Sequence, residues 1–271
     1  MALIKLQNTM IEEVEIPWNK PTLLKGFCRD MKAVKKWNDV SYLKTNFMNA
    51  KVDVEYYKTE TDFETSISKI KSMRFNEYFD QMGDRTYVPD CSLFDMSDDI
   101  SENIFTDLIN PNDVRIGLKN FDGKIGIPDD YNLYIGVNTK TGMHVHIEDD
   151  FMLNQVVGNK KIYFLDYEHL NIKPFWNKYQ NFSRENFFRM NWDKMDIYYA
   201  ELEPGDSVCI PPWWWHAVES DGYSIGVAKL WEREDQYDLY KDNPKYLSLH
   251  RRNWFSAFLG KYIFDWVRKI F

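Results

Sequence analysis

Short β-rich runs, separated by residues that favour turns, fill the region 131–231 and constrain the fold more than any other feature of this sequence. The runs cover residues 131–137, 143–147, 151–157, 161–167, 197–202, 207–210 and 223–230. Within them apolar side chains alternate with polar ones or form short unbroken blocks, as in half-buried and buried strands. Such spacing is typical of antiparallel sandwiches and barrels, so the sequence predicts a mainly β domain here.

The regions on either side of this β-rich part have a different character. Residues 1–128 alternate β-like pieces such as 52–57 with helical patterns, and apolar residues at three- and four-residue steps predict one helix over 63–82. Residues 253–271 repeat apolar positions at the same steps, which indicates a helix with one apolar face. The sequence therefore predicts an N-terminal α/β flank over 1–128, a barrel core over 129–233 and a C-terminal helical extension over 234–271.

Three of the five histidines in the chain lie inside two short strings of the β-rich region. The first string, TGMHVHIEDD, carries His144, His146 and Glu148 at alternate positions, so in an extended strand these side chains point to one face. The second string, EPGDSVCIPPWWWH, is typical of a tight turn, a strand and a stiff proline corner that delivers His216 into the barrel. Two imidazoles and one carboxylate on one face of a metal form the facial triad of non-heme iron(II) oxygenases. These four residues are therefore the candidate metal ligands.

The same strings resemble a known family, the Jumonji-C and cupin-like hydroxylases. The matching motifs are YIG at 134–136, TxxH at 141–144, QxxGxK at 155–160 and GDxxxIPPxWWH at 205–216, within a looser similarity over roughly 21–231. The resemblance implies a double-stranded β-helix barrel that binds iron(II) through an HxD/E pair and a distal His, and 2-oxoglutarate through a lysine. It gives Lys160 the lysine role, with Lys161 as a competitor, and places Thr141 beside the co-substrate.

The chain departs from the family pattern at the first metal-binding motif. After His144 the third position is His146, and HxE occurs only as His146 with Glu148. We favour His146, Glu148 and His216 as the catalytic triad, because this set supplies one negative charge to the dication, with His144 as a supporting or alternative ligand. A site of three histidines, or a four-ligand site that adds Asp150, stays open.

A second departure follows His216. Many relatives carry an Asn or Thr about a dozen residues after the distal His that contacts the co-substrate, whereas this chain has Ala228, Lys229 and Leu230. The assignment of 2-oxoglutarate rests on fewer residues for that reason.

The function that these motifs and the resemblance imply is an iron(II)- and 2-oxoglutarate-dependent oxygenase that hydroxylates a protein or peptide side chain. One alternative is a cupin metalloenzyme that does not use 2-oxoglutarate. Another is a catalytically inactive binding module that kept the barrel and lost the iron. The first alternative should release no succinate when 2-oxoglutarate is added. The second should contain no metal after loading with iron.

Charge and cysteine usage limit the partners and the compartment. The formal net charge of −8 argues against a stable nucleic-acid partner, which would need a dense basic surface. The three cysteines are widely spaced, as in a reducing compartment, and we expect a cytoplasmic protein without a signal peptide or a transmembrane segment. We expect the apolar face of the predicted C-terminal helix to pack on its own barrel, to form a homodimer interface or to lie on a membrane surface.

Overall fold

The computed structural model describes residues 2–7, 19–120, 122–146, 149–166, 174–175, 182–183, 186–191 and 195–232. The strands are β1 (Ala2–Lys5), β2 (Thr22–Leu24), β3 (Lys51–Tyr56), β4 (Lys69–Arg74), β5 (Thr86–Ser92), β6 (Asp130–Val137), β7 (Lys140–His144), β8 (Asp149–Leu165), β9 (Pro174–Phe175), β10 (Phe182–Ser183), β11 (Asp196–Leu202), β12 (Ser207–Ile210) and β13 (Trp215–Glu232). The helices are α1 (Lys32–Lys36), α2 (Val40–Asn46), α3 (Glu60–Glu64), α4 (Phe75–Gln81) and α5 (Glu102–Asp107). The predicted helix at 253–271 lies outside these residues.

Two long antiparallel strands, β8 and β13, run through the whole barrel and belong to both of its walls. Their first pairing region joins 149–157 of β8 to 225–232 of β13, and there β6 and β12 lie on either side. Their second region joins 159–165 to 215–221, with β7 and β11 on either side. The strands β5, β3 and β4 extend the first wall beyond β6. The two walls thus face each other as a jelly roll.

The bend between the two walls falls at a glycine. Gly158 of β8 has a φ of +66°, and a Cβ atom there would stand 2.0 Å from the carbonyl oxygen of Tyr223. Only glycine combines this left-handed conformation with so close a backbone approach. The sequence pattern predicts two strands, 151–157 and 161–167, and the structure joins them across this bend into one strand of 17 residues.

The N-terminal flank packs on the outer face of the first wall. A buried cluster joins Trp37, Phe47 and Phe75 of the flank to Ile135 and Ile225 of the barrel. Burial of such large aromatic side chains contributes about 1.5 to 3 kcal/mol each to folding. The flank and the first wall therefore share one core.

The prediction of one helix over 63–82 is wrong. The structure has the end of α3, then the edge strand β4, then α4 in this interval. Two of the apolar residues that suggested the helical face, Ile67 and Ile70, are 62% and 38% exposed. Their three-residue spacing coincides with helical periodicity, but residues 69–74 pair with β3 along its whole length instead. Tertiary pairing overrides the local pattern here.

The predicted mainly β class is confirmed: the described strands form a jelly-roll barrel of the double-stranded β-helix type with an α/β flank on one side. Within the described part of the chain, no helix has the length and apolar character needed to cross a membrane.

Candidate metal centre

Three histidines project from neighbouring strands into the barrel. His144 ends β7 and lies directly opposite His216 of β13, and His146 follows two residues after His144. The alternate residues Met143 and Val145 point the other way, into a buried apolar cluster on the outer face of this wall. The two-residue period of the strand therefore explains why these imidazoles share the interior.

The three imidazoles form one compact cluster. The ring centroids of His144 and His216 are 4.1 Å apart, those of His146 and His216 are 5.1 Å apart, and those of His144 and His146 are 5.3 Å apart. One ring nitrogen from each residue lies within 4.8 Å of the others. Three donors this close can bind one divalent metal on a single face.

Hydrogen bonds to the backbone fix the orientation of two of these rings. Nδ1 of His144 donates to the carbonyl oxygen of Gly142 at 2.9 Å, and Nδ1 of His216 donates to that of Trp214 at 3.0 Å. Because a carbonyl oxygen can only accept, Nδ1 must carry the proton in both neutral rings, and the lone pair is left on Nε2. This is how proteins prepare an imidazole to bind a metal.

Burial keeps the cluster neutral. Desolvation lowers the pKa of His144 to about 3, helped by the neighbouring His146. Desolvation also lowers the pKa of His146, and it lowers that of His216 well below its ordinary value with help from the other two rings. At neutral pH all three imidazoles are therefore neutral, with one ring nitrogen free of a proton, which is the state that binds metal.

The third ring, His146, is held by packing and by its backbone. Its ring lies nearly parallel to those of Phe151 and His216, with centroids 4.7 and 5.1 Å away. Its carbonyl oxygen accepts a hydrogen bond of 2.8 Å from the backbone N–H of Trp213. The proline corner before His216 is thus tied directly to the segment that carries His146.

A buried lysine faces the same cavity. Lys160 of β8 is 4% exposed, and its Nζ lies 5.5 Å from the centre of the Tyr134 ring. Desolvation lowers the pKa of Lys160 to about 7. The ammonium group reaches this place beside Gly226, where a Cβ atom would stand 2.9 Å from Nζ. Glycine at 226 therefore makes room for the lysine.

The cavity that these groups share is lined by aromatic, aliphatic, histidine, threonine and lysine side chains. The lining residues are Tyr87, Tyr134, Thr141, His144, His146, Phe151, Leu153, Lys160, Ile210, His216 and Val218. No aspartate or glutamate is found among these lining residues, within the part of the chain that the structure describes.

The structure brings together most of the residues predicted from the sequence. Thr141, Lys160 and the three histidines line one cavity. Lys161 points away from it, with Nζ over the ring of Tyr199 at 4.9 Å, and lines a separate cleft with Glu201 and Glu219.

The structure tests only one of the two acidic residues of the prediction. Glu148 lies outside the described residues. Asp150, considered as a fourth ligand, is buried but is not part of the metal-binding group that the three histidines form.

Sequence reasoning missed three aromatic residues of the cavity, Tyr87, Tyr134 and Phe151. Tyr87 comes from the flank, and its pKa is raised by burial and partly lowered by a hydrogen bond with Thr141. No spacing signal connects position 87 with the barrel, because the contact arises from the pairing of β5 with β6. For Tyr134 and Phe151 a signal was available, because the two-residue period of their strands places both side chains on the inward face.

The donor set suits iron(II). Three neutral imidazole nitrogens with no thiolate are ligands that iron, copper and zinc accept in proteins. In His144 and His216 the other ring nitrogen is hydrogen-bonded to the backbone. Lys160 faces the same cavity from another strand, as a binding site for an anionic co-substrate requires.

Comparisons with known proteins agree with this architecture. A family model described as a cupin-like domain matches residues 9–237. Jumonji C domain-containing protein 5 of Drosophila melanogaster is 26% identical over 228 residues, which cover 79% of this chain and 55% of the fly protein. The chain spans about half the length of this curated relative.

Proposed function

The chain belongs to the cupin-like domain family, and on that premise we propose that it is an iron(II)- and 2-oxoglutarate-dependent oxygenase that hydroxylates a side chain of a protein or peptide. The observation that carries the proposal is the convergence of three histidine donors and one buried lysine on a single cavity. Bound iron supplies activation of O2, coupled to oxidative decarboxylation of 2-oxoglutarate to succinate and CO2.

In this proposal the residues divide the work between metal and co-substrate. His144, His146 and His216 hold the iron through one nitrogen each, and their buried, neutral state leaves the lone pairs available. Lys160 binds the far carboxylate of 2-oxoglutarate in a charge-assisted pair, and Thr141 contributes its hydroxyl beside Tyr87. Leu153, Ile210 and Val218 provide apolar walls that exclude water from the reacting atoms.

Catalysis is assigned to the barrel core over 129–233, between the proposed flank at 1–128 and the proposed extension at 234–271. The flank takes part in the site, because Tyr87 belongs to it. The family similarity supports a protein or peptide substrate, and the widely spaced cysteines support a cytoplasmic setting. A homodimer through the apolar face at 253–271 is a separate proposal on residues outside the described ones.

The adjacent lysines offer a matched test of this proposal. We expect metal-free protein loaded with Fe²⁺ under nitrogen, then given 2-oxoglutarate and O2, to release succinate, and His216→Ala to release none. Lys160→Met should raise the KM for 2-oxoglutarate about 10- to 100-fold, since a hydrogen bond to a charged group is worth about 1.5 to 3 kcal/mol. Lys161→Met should leave the KM unchanged. An equal effect of the two variants would contradict the assignment of Lys160.

The all-nitrogen cluster also favours a second candidate, a cupin dioxygenase that does not use 2-oxoglutarate. Three histidines without a carboxylate differ from the facial triad, in which one ligand is anionic. In that case Fe²⁺ binds and no succinate appears at any concentration of 2-oxoglutarate. Protein that binds no Fe²⁺ at all would instead be a binding module.

A further inference from the structure

The bend of β8 at Gly158 decides which of two adjacent lysines faces the cavity. Before the bend the inward residues have odd numbers, since Phe151 and Leu153 line the cavity. After the bend they have even numbers, beginning with Lys160 and continuing to the end of the strand. A strand with an unbroken two-residue period would have turned Lys161 inwards instead. Whatever holds the bend therefore positions Lys160.

The side chain of Gln155 holds this bend. Gln155 is fully buried, and its Nε2 donates to the carbonyl oxygens of Val157 and Gly158 at 2.7 and 2.9 Å. A further contact of 3.0 Å joins Nε2 to Oγ of Ser224 on β13. Because the two carbonyl oxygens can only accept, the nitrogen of the amide, and not its oxygen, must face them. The orientation of the Gln155 amide is therefore fixed.

This orientation turns Oε1 of Gln155 toward the place that Lys160 occupies. Gly226 lies directly opposite Gln155 in the ladder between β8 and β13. A Cβ atom on Gly226 would stand 3.5 Å from Oε1 of Gln155 and 2.9 Å from Nζ of Lys160, so both atoms lie beside the same glycine. Oε1 is buried and accepts no hydrogen bond from the residues that the structure describes. A buried acceptor without a donor is unfavourable, and an ammonium group carries three donors.

We propose that Gln155 is a positioning residue for Lys160: its Nε2 holds the bend that turns the lysine inwards, and its Oε1 accepts a hydrogen bond from the ammonium group when a carboxylate binds there. The inference rests on the proposed function, in which that carboxylate belongs to 2-oxoglutarate, and it adds a residue that acts only through the lysine. One donor of the ammonium group is satisfied by Oε1, which leaves the others for the anion.

Calorimetric titration of the Mn²⁺-loaded full chain with 2-oxoglutarate tests this role. Gln155→Met keeps the length of the side chain and removes both polar atoms. It should weaken 2-oxoglutarate binding about tenfold, the lower end of what a hydrogen bond to a charged group contributes. If Gln155 acts through Lys160, then Gln155→Met should have no further effect on this affinity in a Lys160→Met background.

The neighbouring amide provides a matched control. Asn154 is also fully buried, and its side chain accepts a hydrogen bond of 2.7 Å from Ser207 on the opposite face of β8. Asn154→Leu therefore removes a buried amide from the same strand without touching the lysine. It should leave the affinity for 2-oxoglutarate unchanged, and circular dichroism shows whether each variant is folded.

A second measurement does not depend on the co-substrate. In protein labelled with ¹³C at the lysine Cε atoms, the NMR signal of Lys160 is the one that disappears in Lys160→Arg. This signal should shift in Gln155→Met and keep its position in Asn154→Leu. Gly226→Ala tests the same contact with the Gln155 amide in place. Its Cβ displaces only the flexible end of the lysine, so it should fold, shift the Lys160 signal and weaken 2-oxoglutarate binding.

The outcomes separate this inference from the proposed function. An unchanged Lys160 signal in Gln155→Met and Gly226→Ala, or additive losses of affinity in the double variant with Lys160→Met, would overturn the role of Gln155 and leave the oxygenase proposal standing. If the natural chain bound no 2-oxoglutarate while the Lys160 signal still shifted in Gln155→Met, the positioning role would stand and the proposed co-substrate would fall.

Discussion

The ammonium group of Lys160 is the one strongly perturbed cation in the described cavity, and its surroundings explain the perturbation. Burial is the cause of its lowered pKa, which falls to about 7 from 10.5. The neighbouring groups are the face of Tyr134, the Cα of Gly226 and apolar side chains. An anion bound beside Lys160 would stabilise the charged form of this side chain further.

The first prediction concerns pH. Both carboxylates of 2-oxoglutarate are ionised at neutral pH, and the complex needs protonated Lys160. In the protein without co-substrate the pKa of Lys160 is about 7. The affinity for 2-oxoglutarate should thus be constant well below this pH and should fall about tenfold per pH unit above it. Calorimetric titration of the Mn²⁺-loaded protein between slightly acidic and alkaline pH measures this dependence. Lys160→Arg, whose side chain stays charged, should flatten the curve; a natural chain with a flat curve would contradict the role of Lys160.

The strands that carry the ligands depend on a backbone connection between two segments distant in sequence. Trp213 adopts a left-handed conformation with a φ of +70°, and from there its N–H reaches the carbonyl of His146. Its side chain is buried with Met143, Val145 and Trp215 on the outer face of the wall. The tryptophan is thus a core residue with an unfavourable backbone conformation, and it ties the proline corner to the metal centre.

The second prediction uses this conformation. Replacing a buried Trp by Ala typically costs about 3 to 5 kcal/mol of folding free energy. A left-handed φ costs a residue with a Cβ atom about 1 to 2 kcal/mol. Trp213→Gly should therefore be more stable than Trp213→Ala, by up to about 1 kcal/mol after the entropy of the unfolded glycine is counted. Urea unfolding of the metal-free variants gives the difference.

Trp215 provides the control for this prediction. It is equally buried but lies within β13, in an extended strand. There Trp215→Gly should be less stable than Trp215→Ala, the usual order in a strand. The same order at both positions would show that the left-handed conformation of Trp213 contributes no strain.

Among the secondary-structure elements, the sequence predicted the strands of the barrel well and the edge strand of the flank poorly. Alternation along 143–147 was enough to place His144 and His146 on one face, because that face is set by the two-residue period alone. The stretch 69–74 is an edge strand with a single buried side chain, Met73, so it carried no period that could be read. The left-handed conformation at Trp213 had no sequence signal either, since glycine or asparagine is the residue expected there.

Across the whole molecule, a buried ion pair joins the barrel to its flank. Lys229 of β13 is fully buried; its Nζ donates to a carboxylate oxygen of Asp113 and, at 3.0 Å, to the carbonyl of Leu108. Burial raises the pKa of Asp113 although Lys229 acts in the opposite direction. From the sequence Lys229 was only a departure from the expected co-substrate residue. Its partner lies 116 residues away, so only the folded chain reveals the pair.

The third prediction concerns the buried carboxylate of Asp113 when its cation is removed. Lys229→Met removes the compensating charge while Asp113 stays buried, and breaking a buried pair in this way typically costs about 3 to 5 kcal/mol. Lys44→Met, which breaks the surface pair with Asp80, should cost less than about 1 kcal/mol. The double variant Lys229→Met with Asp113→Leu should recover much of the loss, because it leaves no buried charge.

The pH dependence of the Lys229→Met variant distinguishes an uncompensated charge from lost packing. Without its cation, the folded-state pKa of Asp113 should rise further above the unfolded value, so the folded variant takes up a proton before the unfolded chain does. The variant's loss of unfolding free energy, relative to the natural chain, should be largest above the pKa of Asp113 in the folded variant. It should shrink as the pH falls toward the pKa of Asp113 in the unfolded chain. Urea unfolding at several pH values measures it. The loss could instead stay constant with pH and persist in the double variant with Asp113→Leu. That result would mean that the aliphatic part of Lys229, rather than its charge, holds the flank on the barrel.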